Sequence, residues 1–312
     1  MSDSVEPARA TPTGTSNLPR AALIIPVYNT GAVLRETLDS AQAQTYPNLV
    51  IVVVDDGSTD PLTCQLLDEL TDSVTSHRAD GTDLVLLRQP NRGLSAARNT
   101  GFAAAQGQGA EFVMPLDSDD LIGERYVARA VEVMLTDPEI AVVYARAELF
   151  GAASGEWQLP EFDWSTFLVH NLIYCSALFR AADWIEAGGF DERMRVGRED
   201  HDFLLKVLGR GGRVHQLKTV EFFYRIRPDS MNATLAQSRS DLIDVHSRIF
   251  RNNLSTYEAH AEDLFRFIFD QHDQIRDLQH RYAALERMRT SHPRLVAWAK
   301  SLRGAARRVL RR

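Results

Sequence analysis

Four short apolar runs in the first 120 residues alternate with stretches of helical spacing, and this alternation constrains the fold more than any other feature of the chain. AALIIPVYN, broken at Pro26, is followed by GAVLRETLDSAQAQ, in which Val33, Leu34, Leu38 and Ala41 lie close to the helical period. NLVIVVVDDGSTD carries an apolar core from Leu49 to Val54, after which Asp60 and Pro61 form an N-cap and first-turn pair for PLTCQLLDEL. DLVLLRQ predicts a third strand, LSAARNTGFAAAQ a third helix and EFVMPL a fourth strand. Continuous apolar strands separated by helices must be covered on both faces. The pattern therefore predicts an α/β fold, with a mainly parallel central sheet between two layers of helices.

In such a sheet, ligands bind beyond the carboxyl ends of the strands. Polar clusters stand at all four ends: Tyr28 and Asn29, Asp55 and Asp56, Asn91 and Arg92, and Asp117 to Asp120. In EFVMPLDSDDLI the acids have two readings. They can cap a helix expected from Gly123 to Leu135, or Asp117 and Asp119 can hold a divalent metal against a phosphorylated ligand. A cap explains any one cluster; four together point to one shared pocket.

From about Ile140 the pattern loosens into AVVYARAELF, an aromatic loop with Trp157, Phe162, Trp164 and Phe167, and a strand expected around Ile173 to Phe179. A helix opening at Glu199 or Asp200 and closing strands over 213–226 follow. Beyond about Met231 the chain turns helical. Ile268, Ile275, Leu278, Tyr282 and Leu285 keep a 3.5-type spacing interrupted by Gln271, which predicts a short helical hairpin or a weak coiled coil, and with it a homodimer.

Charge is uneven: the net charge is −7, yet Arg294, Lys300, Arg303, Arg307, Arg308, Arg311 and Arg312 occupy the last twenty residues with no acid. Interleaved with Leu295, Trp298 and Leu302, they predict a basic amphipathic tail able to meet an anionic membrane. No stretch approaches the length of a transmembrane helix, and the Ser-, Thr- and Pro-rich start has no apolar core, so a disordered leader is expected rather than a secretory signal. Cys64 and Cys175 fall outside metal-binding spacing and read as free thiols of a cytoplasmic protein, peripheral on the inner face of the plasma membrane if the tail binds there. The expected organisation is a leader at 1–19, a main domain at 20–232 and a helical region at 233–312.

The ordered set IIPVYN (24–29), VVVDDGSTD (52–60), NRGLSAARNTG (91–101), PLDSDD (115–120), GGFDE (188–192), GREDHDF (197–203) and YRIRPDSM (224–231) resembles the inverting glycosyltransferases of family 2, which have the Rossmann-like GT-A fold. The resemblance implies transfer of a sugar from a UDP-, GDP- or dTDP-linked donor to a glycan or lipid-linked hydroxyl, in bacterial surface-polysaccharide or glycoconjugate synthesis, with no nucleic-acid partner. It places the nucleotide sugar against Pro26, Tyr28, Asp55, Arg98 and Asp117. Asp119 becomes the principal ligand of Mn2+ or Mg2+ with Asp117 as its partner, while Asp120 caps the next helix. Asp200 becomes the base that takes the acceptor proton, with Asp202 and His201 as rivals, and Gly189, Asp191 and Glu199 shape the acceptor side.

One position departs from the family pattern. Where many relatives carry a metal-binding histidine two residues after Tyr-Arg, this chain has Arg227, whose guanidinium offers no lone pair to a metal: either Asp119, diphosphate and water hold the metal alone, or, as favoured here, Arg227 binds the diphosphate directly. Two other functions fit the fold class. A sugar nucleotidyltransferase would need a Gly-rich basic loop that IIPVYNTGAVLRE lacks, and a non-catalytic nucleotide-sugar-binding protein would not need the full acidic set.

Overall fold

A computed structural model describes residues 18–74, 83–227 and 238–291 of the 312. Most of the leader, residues 228–231 of the YRIRPDSM segment and the basic tail lie outside the described residues. The strands are β1 (Ala21–Val27), β2 (Leu49–Asp55), β3 (Asp83–Arg88), β4 (Phe112–Pro115), β5 (Leu121–Ile122), β6 (Ile140–Gly151), β7 (Gly155–Trp157), β8 (Leu178–Arg180) and β9 (Arg213–Ile226). The helices are α1 (Val33–Gln42), α2 (Pro61–Val74), α3 (Leu94–Gly107), α4 (Tyr126–Thr136), α5 (Trp164–Phe167), α6 (Ala181–Ala187), α7 (Glu199–Leu208), α8 (Arg239–Asn252), α9 (Leu254–Ala259) and α10 (Ala261–Ser291).

All seven residues of β1 and all seven of β2 are buried, as strands covered on both faces must be. They pair in parallel, Ala21 beside Leu49, and β1 pairs in parallel with β4, Ala21 beside Phe112. The sheet order is β3-β2-β1-β4-β8-β6-β9-β5, with β7 added to β6. The predicted parallel half is therefore present, and the chain direction reverses where β8 meets β4 antiparallel. The strand expected around Ile173 to Phe179 is observed only as the short β8, over residues 178–180.

Two features bring distant sequence to the strand ends. The long strands β6 and β9 run parallel, with register shifts near Ile140 and Arg146 that bend the pair. The residues after the acidic cluster form β5, which pairs antiparallel with β9, Leu121 beside Phe223. The helix expected from Gly123 thus begins only at Tyr126, and Asp120 does not cap it: its Oδ1 accepts from the Arg225 backbone N–H at 2.8 Å. By contrast, Asp60 caps α2 as its spacing predicts, its Oδ2 accepting from the Thr63 N–H at 2.8 Å.

The described residues fall into two compact units, one ending at Ala259 and the other formed by Trp164–Thr166 with the chain from His260. The first unit passes the expected boundary at 232 because α8 and α9 belong to it. The side chains of Asn252 and Asn253, at the junction of those two helices, both donate to the buried Asp202 Oδ1 at 2.9 Å. In the second unit α10 is one continuous helix of 31 residues and not a hairpin. Among the described residues no helix is long and apolar enough to cross a membrane.

Helix α3 lies close against the sheet because residue 101 has no side chain: a Cβ there would stand 2.5 Å from Ile24 Cγ2 and 3.1 Å from Val54 Cγ2. Gly101→Ala is expected to lower the unfolding free energy by about 1–3 kcal/mol through overpacking. This reverses the gain of ~1 kcal/mol that the same change usually brings to a helix interior. Urea denaturation checks the sign.

Candidate active site

The carboxyl ends of β1 and β4, the start of α7 and the end of β9 open onto one cleft of about 880 Å³. At the end of β1, Pro26 and Tyr28 line it, and the Tyr28 side chain stands 52% exposed. Asn29 follows with a positive φ of 50°, and its Oδ1 accepts from the backbone N–H groups of Thr59 and Asp60 at 2.7 and 2.8 Å. Asn tolerates this backbone region better than most residues. One side chain thereby ties the first two strand-end loops together.

The pair after β2 does structural work. Asp55 Oδ1 accepts from the Ser58 N–H at 2.9 Å, closing the turn, and Asp55 is not among the residues that line the cleft. Asp56 does line it, but both its oxygens are engaged, accepting from Gln89 Nε2 at 2.7 Å and from the N–H groups of Arg92 and Gly93 at 2.9 and 2.8 Å. It shapes the third strand-end loop. The expected contact of Asp55 with the nucleotide thus has no direct counterpart in the cleft wall.

Arg98 does line the cleft, but its guanidinium is already engaged by two carboxylates. It is 1% exposed, and its two terminal nitrogens donate to Asp117 Oδ1 at 2.5 Å and to Glu199 Oε1 at 2.6 Å. Burial opposes its charge, but the two carboxylates outweigh that and hold the guanidinium firmly protonated. Arg98 is therefore a strut between the end of β4 and the start of α7, with its fork turned to carboxylates rather than to phosphates. Glu199, 5% exposed, is the other end of that strut and not a free acceptor-side group.

Asp119 faces the cleft with its side chain 30% exposed, 3.4 Å from Arg227 Nη1. Burial and the neighbouring Asp117 raise its pKa, while Arg227 acts in the opposite direction. Arg225 steadies the same loop: its Nε donates to the Asp119 carbonyl at 2.7 Å and its guanidinium lies 4.3 Å from the Phe150 ring centre. Among the described residues, no three His, Cys, Asp or Glu side chains gather as a closed metal cage. Two neighbouring carboxylates at a cleft wall fit the other common arrangement, in which Mg2+ or Mn2+ takes one or two protein carboxylates and completes its shell from substrate phosphates and water.

Asp200 lines the cleft from the first turn of α7. Its Oδ2 accepts from Asn171 Nδ2 at 2.8 Å and its Oδ1 from the His201 N–H at 2.8 Å. Burial, then the adjacent Glu199 charge, push its pKa up to about 6. The two rivals are absent from the cleft wall. His201 is 1% exposed against the Phe167 carbonyl, its ring pushed by burial down to about 3, and Asp202 is fully buried with Lys206 Nζ at 2.7 Å. Asn171, which orients Asp200, carries no motif or periodic signal that would have singled it out.

Gly189 and Asp191 are likewise absent from the wall. Gly188 ends α6 in the left-handed region, and Gly189, at φ 72°, has no room for a side chain, since a Cβ would stand 2.7 Å from Asn99 Oδ1. Asn99 in turn exchanges hydrogen bonds of 2.9 and 3.0 Å with the Phe190 backbone. Asp191 is held by Arg193 and Asn252, the first of which keeps its carboxyl well below the usual range. The wall begins a few residues later, at Met194, Val196 and Arg198, and Trp157 and Tyr224, with ring centres 4.9 Å apart, form an aromatic part of it.

Comparison with known proteins identifies the family and the fold. Residues 22–200, over half of the chain, match the family model described as glycosyl transferase family 2. The glycosyltransferase GlyA of Streptococcus pneumoniae is 44% identical over 35% of this chain and 14% of its own length. The succinoglycan biosynthesis protein ExoO of Rhizobium meliloti is 28% identical over 75% of this chain and 67% of its own. The chain spans less than two thirds of the length of several of the curated relatives it matches. The crystal structure of S. aureus TarS 1-349 in complex with UDP-GlcNAc superposes with a TM-score of 0.62 at 19% identity, covering 80% of this chain and 71% of that one, so the two share a fold.

Removing Arg98 strands two carboxylates, one of them buried. Arg98→Met is expected to cost about 3–5 kcal/mol of stability, the range for breaking a buried ion pair by deleting one partner. Adding Glu199→Gln should recover part of that loss in urea melts, because it removes the more deeply buried of the two orphaned charges.

Proposed function

This chain belongs to glycosyl transferase family 2, and from that premise we propose that its cleft transfers a sugar from a nucleotide-diphosphate donor to an acceptor hydroxyl with inversion at the anomeric carbon. The observation that carries this reading is the meeting, in one cleft, of the Asp119–Arg227 ion pair with a carboxylate of raised pKa at Asp200. That TarS was crystallised with UDP-GlcNAc supports a nucleotide sugar as donor, and ExoO, named for succinoglycan biosynthesis, supports a glycan or lipid-linked acceptor in bacterial polysaccharide assembly.

In this reading the base lies along Pro26 and the exposed Tyr28 ring, and the open side of Asp117 meets the ribose. Arg227, standing where many relatives have a metal-binding histidine, binds the diphosphate as a two-pronged cation. Asp119, with Asp117 beside it, would hold Mn2+ or Mg2+, which supplies positive charge to the leaving diphosphate. Asp200 accepts the acceptor proton as its oxygen bonds to the anomeric carbon. The bond from that carbon to the diphosphate oxygen breaks, and the electron pair leaves with the nucleoside diphosphate. A single displacement from the opposite face inverts the centre.

Asp200 must be ionised to act, and its raised pKa sets the pH window. Activity is present above about pH 6 and lost as pH falls through that value. We expect kcat/KM for the wild type to show this acid limb, and Asp200→Asn to lower kcat by about 10²–10⁴, the usual contribution of a general base, with donor KM little changed. Retained turnover in that variant would remove Asp200 from the mechanism. Arg227→Ala is expected to weaken nucleoside diphosphate binding about tenfold or more, as loss of a charge-assisted pair does; calorimetry showing unchanged affinity would remove Arg227 from the diphosphate site.

A further inference from the structure

Helix α10 carries a row of large apolar side chains that, among the described residues, nothing in its own unit covers. Ile268, Ile275, Leu278, Tyr282 and Leu285 are between 46% and 66% exposed. They are not scattered. In the heptad that puts Ile268, Ile275 and Tyr282 at position a, the d positions are Leu264, Gln271, Leu278 and Leu285. On the far side Arg276 pairs with Asp273 at 2.6 Å, while Arg281, at position g beside the seam, reaches back to Asp277 at 2.8 Å. Phe269, though exposed, falls outside this seam, and the seam does not account for it.

We infer that α10 is a dimerisation helix, its seam covered by α10 of a second copy of this chain in a parallel, in-register coiled coil. Four features of the helix select that occupant. Ile at a with Leu at d favours two strands over three or four. Gln271, the polar residue that interrupts the seam at d, meets its own copy only when the helices are parallel and in register, where the two amides can hydrogen-bond; every other alignment buries it against an apolar side chain. Position g of one helix then faces position e of the next heptad on its partner. This matches Arg281 with Glu286 and Gln274 with Gln279, an opposite-charge pair and an amide pair, each made twice by the two-fold symmetry. No like charges face each other at these positions. The inference is independent of the sugar-transfer reading, since none of these residues lines the cleft.

The test is the mass of the full chain by sedimentation velocity and light scattering at micromolar concentration. The expected result is twice the 35.0 kDa chain mass. Ile275→Asp with Leu278→Asp should give a monomer with an unchanged melting temperature of the main unit, because both side chains are exposed in the single chain. Arg281→Glu should weaken the dimer about fivefold, the scale of a surface ion pair turned repulsive, and adding Glu286→Arg should restore it. Tyr282→Cys should cross-link two chains on mild oxidation where the wild type does not. A wild-type monomer, a dimer indifferent to the Asp pair, or a charge swap that fails to restore binding would each overturn the arrangement.

Discussion

Arg98 is a cation placed where water does not reach it, and the site is organised around satisfying it. Taking a guanidinium out of water costs several kcal/mol unless carboxylates with good geometry replace the lost hydration. Asp117 and Glu199 do so from opposite sides, at 2.5 and 2.6 Å. The strand end that presents the acidic loop and the helix that presents Asp200 therefore cannot move independently. The same strut has an electrostatic consequence. It holds Glu199 next to Asp200, where burial and the neighbouring Glu199 charge raise the Asp200 pKa toward the range useful for a base.

A second support comes from the far edge of the sheet. β9 is long and bent, and its end reaches the acidic loop through β5. Arg225 then anchors the loop by its backbone to Asp120 and by its side chain to the Asp119 carbonyl, which leaves Arg227, two residues on, beside the Asp119 carboxylate. Of the three acids that end EFVMPLDSDD, one is tied to the buried strut, one is paired with Arg227 and one is held by the β9 backbone. Their division of labour follows from what each meets across the sheet rather than from their order in the chain.

Much of the fold was legible because burial leaves a local pattern. Six consecutive buried positions in β2, Leu49 to Val54, read as an unbroken apolar run, and the Asp60-Pro61 pair marked the start of α2 with the bond that the structure shows. The site was legible only in part. Asp119, Tyr28 and Pro26 line the cleft where strand-end position had put them, and Asp200 lines it from the helix start where the resemblance had put it. Asp55, Arg98, Gly189 and Asp191 carry equally strong sequence signals and turn out to hold loops, close turns or bridge elements. A motif reports that a position is constrained, and a buried ion pair or a left-handed turn constrains a residue as tightly as a ligand does. Asn171 escaped notice for the opposite reason, as a lone amide in an irregular loop whose importance lies wholly in its 2.8 Å contact with Asp200.

The sequence by itself determined the alternation of strand and helix, the parallel half of the sheet and the collection of polar groups at the carboxyl ends of its strands, because periodicity and capping act between residues a few positions apart. Only the tertiary structure decided which charge meets which. Arg98 finds Glu199 across 101 positions, and Arg227 finds Asp119 across 108, through a strand order and a direction reversal at β8 that no local pattern encodes. Electrostatic partners are chosen by distance in space and by the loss of water around them, and both exist only once the sheet has closed.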